Sequence, residues 1–225
     1  MNCLLCNAHL PVRLKIRDLV MLRPLAQPTL CEQCRARFIQ IDPTHACPGC
    51  SRPQEHTRLC PECTAWQHQY GWHLHHQALY TYNDAMKEYV HCYKFAGDYR
   101  LRVVFQSVLE ARIRRIAADV VVPIPVTRTT MATRGFNQVL GMLGGVVVTP
   151  ALRHCATDKV AQSHKTRQER LQTPQPFELV DPMMVRGKRV LLVDDIYTTG
   201  RTLYHAADLL KAAQCCELTS LSLAR

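Results

Sequence analysis

The sequence predicts an α/β fold, a mainly parallel sheet with helices on both faces, preceded by a small cysteine-rich module. Three observations carry this reading. Eight of the twelve cysteines fall in four CxxC pairs before residue 64. Apolar runs that read as buried strands then alternate with helical patterns. One of those runs, "RVLLVDDIYTTGRT", drives two carboxylates straight into a turn of hydroxyls and glycine. A chain of 225 residues, 47% of them hydrophobic, can fill a core of roughly 150 residues with a small module beside it. The division expected is a module over residues 1–68 and a domain over 69–225.

The four pairs are Cys3 with Cys6, Cys31 with Cys34, Cys47 with Cys50, and Cys60 with Cys63. A CxxC pair turns two thiolates toward one point, and two pairs complete the tetrahedral sulfur shell that zinc accepts. Two structural zinc sites are therefore expected, closed to water and supplying folding energy that some 60 weakly apolar residues lack. Pro48 in "CPGC" and Pro61 in "CPEC" favour tight turns there. The short segment between the third and fourth pairs favours sequential pairing, first with second and third with fourth; interleaved pairing and redox-active CxxC are the alternatives. His9, His45 and His56 are expected at the surface. Cys92, Cys155, Cys215 and Cys216 lack ligand spacing and read as buried fillers.

The segment "TAWQHQYGWHLHHQALYTY" offers two readings. It is a base-stacking surface built on Trp66 and Trp72, or a linker leading into a first strand, and the alternation in "HHQALYTYND" favours the strand. Helices are predicted over "NDAMKEYVHCYKF" and "LRVVFQSVLEARIRRIAA", separated by "AGDY". Next come the strand "DVVVPIPV", the helix "GFNQVLGMLGGV", the strand "RVLLVDDIY", the helix "TLYHAADLLKAAQ" and a last strand, "CELTSLSLAR". No run reaches the ~18 apolar residues of a membrane span, since glycine and proline break the longest. "MNCLLCNAHLP" shows no charged leader, so a cytoplasmic protein is expected. The net charge of +10 favours polyanionic partners, nucleic acid or phosphorylated small molecules.

In parallel sheets ligands sit beyond the carboxyl ends of strands, where Asp194 and Asp195 fall. The amides of the following turn, with the hydroxyls of Thr198, Thr199 and Thr202, can surround a phosphate at the next helix N-terminus, and Gly200 lets the backbone approach. Carboxylates repel phosphate but accept hydrogen bonds from vicinal hydroxyls, so the ligand implied is a sugar phosphate. A nucleotide P-loop is excluded by the absence of GxxxxGK[ST].

"VLLVDDIYTTGRT" resembles the phosphoribosyl-pyrophosphate (PRPP) signature of type I phosphoribosyltransferases. The whole chain resembles the ComF family of competence and DNA-utilisation proteins, through the paired CxxC front end, "YNDAMKEYVHCYKFAGD", "VVPIPVTRTTMATRGFNQ" and "QSHKTRQERLQTPQPF". The resemblance implies the type I phosphoribosyltransferase fold and PRPP bound with Mg²⁺. In it Asp194 and Asp195 would hold the ribose, and Thr198, Thr199, Gly200, Arg201 and Thr202 the 5-phosphate. Arg128 and Arg134 would supply charge to the diphosphate, and Lys165, Arg167 and Arg170 would sit in a mobile closing loop; the other reading of those three is a solvated helical face. Lys94 and Asp98, in "KFAGD", match a family motif without a derivable chemistry. The resemblance further implies a role in DNA uptake or in the use of extracellular DNA, with the uptake machinery or single-stranded DNA as partners. The acceptor of any transfer and the oligomeric state stay open.

Overall fold

The computed structural model describes residues 1–11, 28–155 and 175–225. Six strands appear among them: β1 (His75–Tyr80), β2 (Val120–Pro123), β3 (Leu152–His154), β4 (Phe177–Leu179), β5 (Arg189–Ile196) and β6 (Glu217–Ala224). Four of these make one sheet in the order β1-β6-β5-β2, every pair parallel, while β3 and β4 form a separate antiparallel pair. The helices are α1 (Glu32–Ala36), α2 (Pro61–Tyr70), α3 (Asp84–Val90), α4 (Gln106–Arg115), α5 (Arg128–Arg134), α6 (Gln138–Leu143) and α7 (Arg201–Ala212). No helix of the described residues is long and apolar enough to cross a membrane.

Strand β5 explains why the sheet is covered on both sides. Its side chains alternate with period two, and residues 190–195 are all buried. Leu191 and Val193 enter one core with Met86 and Tyr89 of α3. Val190 and Leu192 enter the other with Leu203 and Ala207 of α7. Each fully buried Leu or Val contributes about 1.5–3 kcal/mol through area removed from water. The cysteine-rich segment joins both cores: Cys3, Cys34 and Phe38 pack on the α3 face, whereas Cys47, Cys50, Cys60, Cys63 and Trp66 pack on the α7 face.

It also covers the free edge of β1, whose unpaired polar groups would otherwise invite strand addition. His76 N–H donates to Gly49 O (2.9 Å), the Ser51 hydroxyl donates to His76 O, and Ala78 N–H donates to Ser51 Oγ. Farther along, Ile41 N–H donates to Leu79 O and Thr81 N–H to Ile39 O.

Two sequence expectations are modified. "LRVVFQSVLEARIRRIAA" is not one helix: a 3₁₀ turn (Tyr99–Val104) precedes α4, and the break falls at Phe105 (φ −113°, ψ 2°). The Phe105 ring sits 5.0 Å from Phe38, 4.9 Å from Tyr89 and 5.2 Å from Tyr80, so aromatic packing overrides helical continuity. The segment read as a linker before β1 is largely α2. Pro61 opens that helix at a position needing no N–H, and Gly71 ends it in the left-handed region (φ 75°). Trp66 is consequently 4% exposed and stacks on Tyr204 (4.6 Å), which leaves no free base-stacking face there.

Candidate functional site

The cysteines gather as two sets of four, Cys3, Cys6, Cys31 and Cys34, and Cys47, Cys50, Cys60 and Cys63, with all sulfurs of a set within 4.8 Å of one another. Sequential pairing is thus the observed one. A tetrahedral shell with zinc–sulfur bonds near 2.3 Å requires sulfur–sulfur spacings of about 3.8 Å. Cys6 to Cys31 measures 3.6 Å, Cys47 to Cys63 3.8 Å and Cys50 to Cys60 3.6 Å, so the donors fit such an ion.

The two sets are built alike. Each first pair lies in a knuckle closed by a residue in the left-handed region, Asn7 (φ 59°) or Ser51 (φ 59°), whose N–H donates back to Cys3 O or Cys47 O. Each second pair starts a helix, with Cys31 or Cys60 at its N-cap. Of the cysteines read as buried fillers, Cys155 and Cys216 are exposed and Cys92 and Cys215 partly so, which corrects that expectation. Cys92 packs against the α3-side core and Cys215 against the α7-side core, while Cys155 follows β3 and Cys216 precedes β6. His9, His45 and His56 are exposed.

Asp194 and Asp195 are the last but two and last but one residues of β5, each 7% exposed. Strand alternation sends them to opposite faces. Asp195 shares the face of Leu191 and Val193, where Lys94 Nζ forms an ion pair with its Oδ2 and Gln138 Nε2 donates to its Oδ1 (3.4 Å). Asp194 Oδ1 accepts from the Asp195 N–H (2.9 Å). Burial raises the Asp194 carboxyl to about 6, with the Lys94 charge pulling the other way.

Lys94 reaches this position because α3 continues into a π-helical turn, His91–Phe95. Such turns recur at functional sites because the extra residue redirects side chains. The "KFAGD" motif thereby divides into two roles. Lys94 meets the acid, while Asp98 caps the next turn by accepting from Arg100 N–H and pairs with its guanidinium (2.7 Å). Arg134 donates from Nε to Lys94 O (2.9 Å) and from Nη1 to Gln138 Oε1, so it braces the lysine side of the pair. Arg128 is exposed at the first turn of α5, whose N-cap Thr127 follows closely on the end of β2. Lys165, Arg167 and Arg170 lie outside the described residues.

The turn after β5 runs Tyr197, Thr198, Thr199, Gly200 into α7. Gly200 has φ +81°, and a Cβ there would lie 2.2 Å from the Tyr197 hydroxyl, so conformation and space both require glycine. The Thr199 carbonyl accepts from the Trp66 indole (3.0 Å), and the Thr198 carbonyl accepts from Arg225 Nη1 (3.3 Å). Among the described residues the N–H groups of Thr199 and Gly200 meet no acceptor, although both residues are buried. Thr198 is exposed, and Arg201 and Thr202 are partly buried in the first turn of α7. The sequence thus pointed to the acids and the turn. It gave no role to Gln138 or Arg225, and it read Trp66 as part of a base-stacking surface or a linker and not as a partner of the turn.

Residues 110–225 match the phosphoribosyl transferase domain family. The chain is 36% identical to the competence protein ComFC of Streptococcus pneumoniae over 227 aligned residues, covering all of both chains. It is 28% identical to the DNA utilization protein YhgH of Escherichia coli, over 80% of this chain and 83% of that protein. Among solved structures, glutamine PRPP amidotransferase from B. subtilis aligns with 54% of this chain and 26% of its own at 20% identity, with a TM-score of 0.35.

Proposed function

The chain belongs to the ComFC family, with a phosphoribosyl transferase domain in its second half, and from that premise we propose that it binds PRPP at the carboxyl end of the sheet. The observation that carries this is the juxtaposition of two buried carboxylates with a turn whose Thr199 and Gly200 amides meet no acceptor among the described residues. Asp194 and Asp195 accept hydrogen bonds from the two ribose hydroxyls. The amides of Thr199 and Gly200, the side chains of Thr198 and Thr202 and the charge of Arg201 hold the 5-phosphate at the α7 N-terminus. Arg128, on the neighbouring strand's exit, stands on the side of the diphosphate, and Lys165, Arg167 and Arg170 belong to the segment we assign to closure over it.

In transfer, the bond between the anomeric carbon and the diphosphate oxygen breaks as the acceptor attacks that carbon, and the electron pair leaves with pyrophosphate. Asp194 and Asp195 fix the sugar ring while positive charge develops on it. Asp194 and Asp195 offer hard carboxylate oxygens at the site, and Mg²⁺ bound with the diphosphate would supply the charge that neutralises the leaving group. Lys94 forms an ion pair with Asp195, so a ribose hydroxyl bound there replaces an ammonium as partner. We assign zinc to both four-cysteine sets, residues 1–68 to the module they staple and 69–225 to the transferase domain. The biological setting we assign is DNA uptake or the use of extracellular DNA.

Titration calorimetry with PRPP and Mg²⁺ tests the reading. Binding to the wild type and its loss in Asp195→Asn are expected; a wild type that does not bind overturns it. Release of pyrophosphate across bases, nucleosides and short DNA then separates an enzyme from a sensor.

A second reading is a DNA-handling adaptor that retains the fold without transfer. It rests on Phe95 (56% exposed) and Tyr99 (43% exposed), each with an arginine over its ring, Arg134 at 5.9 Å and Arg102 at 4.4 Å. Salt-dependent binding of single-stranded DNA that weakens in Phe95→Ala with Tyr99→Ala supports it, and no affinity at low salt excludes it.

A further inference from the structure

We propose that Trp66, Glu62 and Arg225 are positioning residues through which the second cysteine set orients the phosphate turn, an inference that rests on the sugar-phosphate reading of that turn. A trans peptide holds its C=O and its N–H in one plane, pointing in opposite directions. The Thr198 carbonyl shares a plane with the Thr199 N–H, and the Thr199 carbonyl with the Gly200 N–H. Fixing both carbonyls from behind therefore aims both amides forward. The two donors behind are Arg225 Nη1 on Thr198 O (3.3 Å) and the Trp66 indole N–H on Thr199 O (3.0 Å). The two amides they aim are the ones that meet no acceptor among the described residues.

Both donors are anchored to the second cysteine set. Trp66 lies on α2, the helix that Cys60 caps and that carries Cys63 in its first turn. Glu62, between those cysteines, sits four residues before Trp66 and so on the same helix face. Its Oε2 accepts from Arg225 Nη2 (3.0 Å) and pairs with Arg52 (2.8 Å), a residue of the Cys47–Cys50 knuckle whose carbonyl accepts from Cys47 N–H. The Arg225 side chain is 6% exposed and its guanidinium lies over the Tyr197 ring (4.5 Å), which places it directly under the turn. Arg201 in turn lies over the Trp66 ring (5.6 Å). Knuckle, helix and turn are thus linked by charge-assisted or indole hydrogen bonds at every junction.

Arrangement of the metal shell consequently sets the direction of the phosphate-binding amides. The first cysteine set has no such link among the described residues, since it packs on the opposite core.

The experiment uses Trp66→Phe, which keeps a ring and removes the donor, and Arg225→Met, which keeps the aliphatic stem. Zinc content is measured first and is expected to match the wild type in both. Amide hydrogen exchange on the ligand-free proteins should then speed up about tenfold across residues 197–202, with α3 unchanged. In parallel the dissociation constant for PRPP with Mg²⁺ should rise about tenfold. Arg37→Gln, beside the first set, should change neither quantity. Unchanged exchange in the turn in both variants overturns the proposal, as does an exchange increase spread evenly over the chain, which marks general loosening. Faster turn exchange in variants of a wild type that binds no PRPP supports the positioning role and overturns the sugar-phosphate reading, so the two failures are distinct.

Discussion

The two four-cysteine sets share one local design and serve different surroundings. Both combine a knuckle, closed by Asn7 or Ser51 in the left-handed region, with a helix capped by the third cysteine. In the first set Cys6 is exposed and Cys31 partly so. In the second all four lie at 2% exposure or less, against the core that carries α7. One set thus lies on each side of the sheet, and among the described residues only the set on the α7 side is linked to the turn after β5. Position, and not ligand chemistry, distinguishes a fold staple from a site scaffold.

The largest effect expected is from breaking the buried set. Cys60→Ser keeps a residue suited to the helix N-cap but removes one sulfur of a four-cysteine shell; formation of such a shell around zinc contributes about 10–16 kcal/mol in small zinc modules, comparable to the whole stability of a domain. Loss of the cooperative unfolding transition by circular dichroism is expected. Cys6→Ser, at an exposed ligand, should retain a transition at lowered temperature; equal damage from both would erase the contrast between the sets.

Trp66→Ala should cost about 3–5 kcal/mol in denaturant unfolding, because its buried ring stacks on Tyr204 and its indole N–H donates to the turn. Trp72, which also stacks on Tyr204 but at 5.3 Å and is only partly buried, should cost less. Next comes Asp195→Asn. It removes the charge that faces Lys94, whose side chain is 14% exposed, and should destabilise by about 3 kcal/mol while weakening PRPP binding by at least about tenfold, both read on one preparation by thermal unfolding and calorimetry.

Asp194 adds a pH dependence. Its folded carboxyl titrates near 6 because it is buried, above an unfolded value of about 3.9. The native state therefore holds the extra proton between these values. Stability from this group is complete below about pH 4 and falls as pH rises through 6. Ligand binding runs the other way, since a ribose hydroxyl donates best to the ionised acid. Affinity should rise between about pH 5 and about pH 7 more steeply in the wild type than in Asp194→Asn. The smallest effect belongs to the half-exposed pair Arg37 and Glu88, where Arg37→Gln should leave the unfolding transition close to that of the wild type.

The parts of this arrangement that sequence makes legible are those written in local pattern. Strand β5 is an apolar run ending in two acids, α7 follows its turn directly, and the CxxC spacing announces the knuckles together with their partners. What stayed illegible depends on contacts far apart in the chain. Nothing near Lys94 indicates that a π-helical turn will carry it to Asp195, roughly a hundred residues on. Phe105 breaks a helical pattern only because three other rings surround it. Strands β3 and β4 are three residues each, too short for periodicity to register. Trp66 looked like part of a linker because its partners, Tyr204 and Thr199, lie at the other end of the sequence.

The most direct test of the central claim is a crystal structure of the protein with PRPP and Mg²⁺. The 5-phosphate is expected on the amides of Thr199 and Gly200, the ribose hydroxyls on Asp194 and Asp195, and Lys94 displaced from Asp195, with the Trp66 and Arg225 bonds to the turn intact. A ligand seated elsewhere, with the Lys94–Asp195 pair undisturbed, would contradict it.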